Sequence, residues 1–111
     1  AYQTFDLFEA MKHDGLRPKL VKVDGGMVMN NWFSQFLSDV VNIGVLRPKV
    51  RETTALGAAF MAGLQIGVYS SLKDISKNWS LDKKFSPKMK NISRSKLLKG
   101  WSKAINRTLI N

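Results

Sequence analysis

No cysteine occurs among the 111 residues of this chain, which excludes disulfides and thiolate metal sites. Histidine is nearly as scarce: His13 stands alone, and with no second imidazole and no thiol beside it, a side chain favoured by a helix dipole is the simpler account than a metal ligand. The longest apolar-rich stretch, 55–68, carries Gln65 and falls short of the roughly 20 residues needed to span a bilayer, so no membrane span is expected. Acidic side chains are few, eight against eighteen Lys and Arg, for a formal charge of +10. There is no internal repeat and no low-complexity tract. Neither a signal peptide nor a capping box opens the chain, which enters a helical pattern at Ala1 as a cut end would. Without a cysteine framework or a leader, a cytoplasmic location is the expectation.

What is present reads as one small globular domain. The hydrophobic fraction is 44% and the aromatic fraction 10%, enough for a core and too much for disorder. The basic charge is uneven. Residues 1–69 hold seven Lys or Arg against six Asp or Glu, while residues 70–111 hold eleven against two. A polyanion partner would exploit such a tail, with affinity falling steeply in salt. However, thirteen of the eighteen basic residues are Lys, whereas phosphate and base recognition leans on arginine's planar fork. The aromatics do not interleave with the lysines as a stacking platform would. A solvated lysine-rich face is therefore expected, and nucleic-acid binding is not.

The most informative stretch is 20–36, where an apolar run meets two glycines and a helical pattern begins. Leu20 to Val23 suit a short buried strand, and Trp32, Phe33, Phe36, Leu37, Val40 and Val41 recur at helical spacing. At the joint, Gly25 and Gly26 lack a Cβ, so the backbone takes positive φ readily and a ligand approaches it closely. A helix opening just beyond presents unpaired N–H groups to an anion or polar ligand. Two readings stand side by side. In one the glycines only make the turn, Asp24 satisfies local amides, and Asn30 or Asn31 caps the helix; in the other an amide faces a ligand.

On either side of this joint the chain reads in order. Residues 1–13 form an amphipathic helix with Tyr2, Phe5, Phe8 and Met11 inward and Asp6, Glu9 and Lys12 toward water, ended by Asp14-Gly15. Residues 43–46 make a second strand closed by Arg47-Pro48, and strand, helix, strand fits a crossover unit, with a mixed sheet also allowed. After a polar loop over 49–52, Thr53 or Thr54 caps a helix from Ala55 to about Gly67. Its Ala55, Ala59 and Gly63 make a smooth edge for close packing, which must offset the cost of Gly57 and Gly63. Residues 70–77 are a short helix or turn, and 79–90 mostly loop. Arg94 to Ile110 is a docking helix with Leu97, Trp101, Ile105 and Leu109 at four-residue steps and lysines outside.

Ala1-Tyr2-Gln3-Thr4, Val23-Asp24-Gly25-Gly26-Met27, Asn30-Asn31, Gln35-Phe36, Arg47-Pro48, the run from Arg51 to Ala59, Ala62-Gly63-Leu64, Phe85, Pro87, Arg94 and Gly100-Trp101 resemble, in that order, the C-terminal part of the FGGY carbohydrate kinases. The likeness runs almost end to end and is strongest to the branch that phosphorylates glycerol. Phe5 departs from it, standing where that branch usually has arginine. The resemblance implies an α/β fold of the ribonuclease H-like, actin-like ATPase type, with residues 1–111 forming the C-terminal portion of the second FGGY lobe on the adenine side of the cleft, and 70–111 its basic tail and docking helix. It implies ATP and glycerol as partners, Mg²⁺ held by residues outside this chain, and a homo-oligomer when the protein is whole. It assigns ATP contacts to Gly26 and Asn30, with Gly25 supporting the turn, and no catalytic residue, so the chain alone is expected to be inactive. Asp24, a single carboxylate at a strand end, is read as structural. The alternatives are another FGGY sugar kinase or a basic polyanion-binding module.

Overall fold

The computed structural model describes residues 1–50 and 52–109; Arg51, in the expected polar loop, and Ile110, the expected end of the last helix, lie outside the described residues. The elements are α1 (Tyr2–His13), β1 (Leu20–Lys22), a 3-10 turn (Gly26–Met29), α2 (Asn31–Val41), β2 (Gly44–Pro48), α3 (Thr53–Gln65), α4 (Leu72–Ser76), β3 (Leu81–Phe85) and α5 (Asn91–Leu109). The strands form one sheet in the order β1-β2-β3. β1 pairs with β2 in parallel and β2 with β3 antiparallel, so the crossover unit and the mixed sheet are both present. No helix among the described residues is long and apolar enough to cross a membrane.

The core forms where α2 lies across β2. Leu37, Val41, Val45, Phe8 and Phe85 make the buried cluster, with Phe5, Met11, Val21, Val23, Phe33 and Ile43 packed around it. Helical period explains the α2 residues, while β2, buried at four of its five positions as the central strand, contributes Val45. Two α2 serines inside this layer are satisfied by backbone: Ser38 Oγ donates to the carbonyls of Ile43 (2.8 Å) and Phe85 (3.1 Å), and Ser34 Oγ to that of Val28 (2.9 Å).

Several expectations need correction. β1 is an edge strand with Leu20 half exposed, because β2, which has a partner on each side, takes the buried position. Trp32 points out of the α2 core face, 69% exposed, and stacks on Phe36 at 5.0 Å. The stretch read mostly as loop contains β3. Its sequence, Leu-Asp-Lys-Lys-Phe, buries only Phe85, so hydrophobic alternation is nearly absent and backbone pairing to β2 makes the strand; charged residues suit such an edge. The pairing shifts register between Arg47 and Pro48, where proline has no N–H to donate.

α3 begins at Thr53, and neither threonine caps it: Glu52 occupies the cap position without a side-chain bond. Gly63 alone of this helix is buried. A Cβ there would meet the Tyr69 ring at 2.8 Å, whereas one at Gly57 would meet nothing within 4 Å. Close packing therefore explains Gly63 and not Gly57, and the Ala55–Ala59 edge is exposed.

α5 docks over its N-terminal part as far as Trp101. Tyr2 stacks on Trp101 at 5.4 Å and meets Phe36 edge-on at 5.8 Å, and Trp101 Nε1 donates to Asp6 Oδ2 at 2.8 Å. Its basic residues are not all solvated, as the lysine-rich face had suggested. Arg94 is buried, donating from Nε to the Asp39 carbonyl (2.5 Å), from Nη1 to Asn91 Oδ1 (2.6 Å) and from Nη2 to the Met89 carbonyl (2.9 Å). Asp39 Oδ1 in turn accepts from the Lys88 and Met89 amides at 2.5 and 3.0 Å. The far end of α5 is exposed, Leu109 to 75%, and the molecule as a whole measures 54 × 31 × 26 Å.

Candidate functional site

Parallel pairing of β1 and β2 sends the loops that follow them to the same end of the sheet, and ligands of open α/β sheets gather outside the carboxyl ends of the strands. The first loop carries Asp24-Gly25-Gly26 and the second leads into α3. Between them lies a pocket of about 540 Å³ lined by Asp24, Gly25, Gly26, Met29, Glu52, Thr53 and Thr54. The two loops are tied across this pocket by a hydrogen bond from Thr53 Oγ1 to Asp24 Oδ2. Asp24 thus satisfies a side chain 29 residues away instead of the local amides the sequence suggested.

The glycines differ in what they do. Gly25 has φ +91, a conformation that side chains with a Cβ rarely adopt. Gly26 opens the 3-10 turn at an ordinary φ, and a Cβ built on it would meet nothing within 4 Å; its bare backbone faces the open pocket.

Asn30 follows the turn, is exposed, and lies outside the pocket lining. Its Oδ1 accepts from the Phe33 amide at 3.1 Å, which makes it the N-cap of α2. Its Nδ2 donors are then the part of the amide left for a ligand. Asn31 does not cap; its Oδ1 accepts from Arg47 Nη1 at 3.0 Å.

Asn30 caps the α2 opening, and it is the α3 N-terminus, without a side-chain cap, that lines the pocket through Thr53 and Thr54. Two carboxylates, Asp24 and Glu52, share the described lining, so the α3 dipole does not leave it positive. Hydroxyls and amines suit such a lining better than a bare phosphate. Met29 adds an apolar surface.

Sequence reasoning marked the glycine turn and missed the opposite wall. Thr53 and Thr54 were assigned to capping and Glu52 to a polar loop. The available signal was the parallel strand pair itself, which obliges both following loops to share one end. His13 sits exposed in the last turn of α1, and no group of three or more His, Asp or Glu gathers among the described residues.

Fold and pocket together define an α/β domain with an open pocket at the carboxyl end of a parallel strand pair. Residues 1–66 match the model of the FGGY family of carbohydrate kinases, C-terminal domain, and the chain belongs to that family. It is 51% identical over 106 residues to glycerol kinase 1 of Pseudomonas aeruginosa, and 52% identical over 110 residues to the glycerol kinase of Thermoanaerobacter pseudethanolicus; these alignments cover 96% and 98% of the chain and 22% of each relative. Among solved structures, Plasmodium falciparum glycerol kinase with ADP matches with a TM-score of 0.81 at 35% identity, over 99% of this chain and 22% of that one. A ligand-bound xylulose kinase from Lactobacillus acidophilus matches at 0.80 and 21% identity, over 96% of this chain and 23% of that one, a likeness of fold alone. The chain thus spans about a fifth of the length of the relatives it matches.

Proposed function

We propose that residues 1–111 form the adenine-side portion of the C-terminal lobe of a glycerol kinase, which transfers the γ-phosphoryl group of ATP to glycerol, and that Gly26 and Asn30, supported by Gly25, contact the nucleotide. The observation that carries the substrate reading is the identity above 50% to two glycerol kinases along almost the whole chain. The nucleotide reading is supported by the open glycine backbone at the carboxyl end of the parallel strands and by the ADP that accompanies the Plasmodium relative.

The residues present suit an adenosine moiety. Gly26 admits a flat group against the main chain, Met29 offers it an apolar contact, and Asn30 Nδ2 donates to a base or ribose acceptor. Asp24 and Glu52 offer acceptors to hydroxyl or amino groups and disfavour a triphosphate against this wall. Mg²⁺, which would neutralise phosphate charge in the transfer, finds no set of three acidic ligands among the described residues. The chain's own part is to bind and orient the nucleotide. A cytoplasmic, homo-oligomeric enzyme goes with this reading.

Two substitutions in the full-length kinase test it. Asn30→Asp keeps a good helix cap but loses the Nδ2 donors, so the KM for ATP rises roughly tenfold, the worth of one strong hydrogen bond, while the melting temperature holds. Gly26→Val fills the approach to the backbone and raises the same KM further. An unchanged KM for ATP in both variants would remove the turn from the nucleotide site, and ATP turnover that ignores glycerol would remove the substrate.

A further inference from the structure

We propose that Arg47 is a positioning residue for the nucleotide: from the central strand its buried guanidinium holds the 3-10 turn that presents Gly26 and Asn30. The proposal rests on the adenosine reading of that turn. Arg47 is 6% exposed. On one side its Nε donates to Asp82 Oδ2 at 2.8 Å, and its guanidinium carbon stands 5.3 Å from the centre of the Phe85 ring. On the other, Nη1 donates to the Val28 carbonyl at 2.9 Å, the Met29 carbonyl at 3.2 Å and Asn31 Oδ1 at 3.0 Å. The guanidinium is thus fixed by β2 and β3 and grips three residue positions, 28, 29 and 31, that bracket Asn30.

The buried Val28 side chain anchors the turn at one point, but the turn has few hydrogen bonds of its own to fix its tilt. It is four residues long, and the Asn30 amide closes it on the Met27 carbonyl at 3.2 Å; short 3-10 segments have poor hydrogen-bond geometry. Ser34 Oγ adds one bond to the Val28 carbonyl. A buried charge is a weak source of stability, since well-packed apolar residues often do as well. The distinctive contribution of an arginine here is therefore directional: a planar fork that meets Asp82 and the turn at once, which the point charge of lysine cannot do. Tilting the turn would carry Gly26 and Asn30 together off the ligand, and each strong hydrogen bond lost is worth about tenfold in affinity.

The test uses the full-length kinase with Arg47→Lys, Arg47→Gln and, as a control for stability, Val41→Ala, which thins the core at the opposite end of α2. Positioning predicts a KM for ATP raised roughly 10- to 100-fold in both Arg47 variants, without rescue by lysine and with the KM for glycerol unchanged. Val41→Ala should lower the melting temperature and leave both KM values alone. Equal rises for ATP and glycerol, rescue by lysine, or a Val41→Ala effect on ATP matching that of Arg47→Lys would overturn the proposal. If the Arg47 variants do not fold, Asn31→Ala removes one acceptor from an exposed position and should raise the KM for ATP a few-fold; no rise overturns it equally. Gly26→Val separates this proposal from the reading beneath it. A silent Gly26→Val defeats both, whereas an effective Gly26→Val beside a silent Arg47→Lys defeats positioning alone.

Discussion

The α2–β2 body and the α3–α4 region are built from similarly apolar sequence and reach opposite ends of the burial scale. In α2, Leu37, Val40 and Val41 are buried, and Val45 of β2 is fully enclosed. In α3, rich in Ala, Gly, Leu, Phe and Met, only Gly63 is buried, and Met61 stands half in solvent. The difference is partners. Apart from Trp32, α2 keeps its apolar residues to one face, and α1, β2 and β3 all pack against this helix. α3 is apolar nearly all round, the pattern of a helix enclosed on every side, and among the described residues it touches chiefly the segment just beyond its own C-terminus. Phe60 meets Tyr69 edge-on at 5.5 Å, and the Val68 and Tyr69 amides bond back to the Gly63 carbonyl. Apolar content says that a helix wants burial; it does not supply the surface that buries it.

The sharpest way to break this contrast is to thin each region by the same chemistry. Leu37→Ala should cost about 3 kcal/mol of unfolding free energy, whereas Met61→Ala should cost under about 0.5 kcal/mol. Denaturant titration of the two variants measures both, and similar losses would mean that α3 is enclosed after all. A smaller effect separates the two glycines of α3. Gly57→Ala gains about 0.5 to 1 kcal/mol from helix propensity, having open space for its Cβ. Gly63→Ala must displace the Tyr69 ring and should fall below Gly57→Ala by about 1 kcal/mol. Thermal melts that rank them the other way would show the Tyr69 contact to be soft.

The smallest effect is confined to α4. The Lys77 ammonium hydrogen-bonded to Asp74, together with the Ser70 amide, holds the Asp74 carboxyl below its ordinary value. A depressed acid contributes stability above its unfolded pKa and loses it as pH falls through the folded one. The contribution is therefore present at neutral pH and disappears at the acid end of the carboxylate range. Because the group is exposed, the change should be local. An NMR titration should find Asp74 more acidic than a free aspartate, and Lys77→Ala should return it upward; a value that ignores Lys77 removes the ion pair from the account. The α2 core signals should not move over the same range.

Periodicity made α1, α2, α3 and α5 legible, and the glycine joint announced the turn, because these depend on neighbours three or four residues apart. β3 was not legible, since one buried residue in five leaves no alternation to read and the strand exists through pairing with β2. The two arginine hubs were equally hidden. Arg47 and Arg94 count toward a basic composition like any exposed cation, and nothing within a few residues of either shows that backbone carbonyls from distant segments will surround it. Half of the candidate site was visible for the same reason: Gly25 and Gly26 mark themselves by lacking a side chain, while Glu52, Thr53 and Thr54 become a wall only once two parallel strands bring their loops together.

Local order in the chain was thus enough to set where helices run, where the backbone must bend, and that α2 has one face to bury. Which strand is central, which charges are enclosed and which loops share a pocket depend on contacts between residues tens of positions apart, such as Thr53 with Asp24 or Arg47 with Asp82. Those pairings arise from how the elements pack against one another, and short-range pattern carries no record of them.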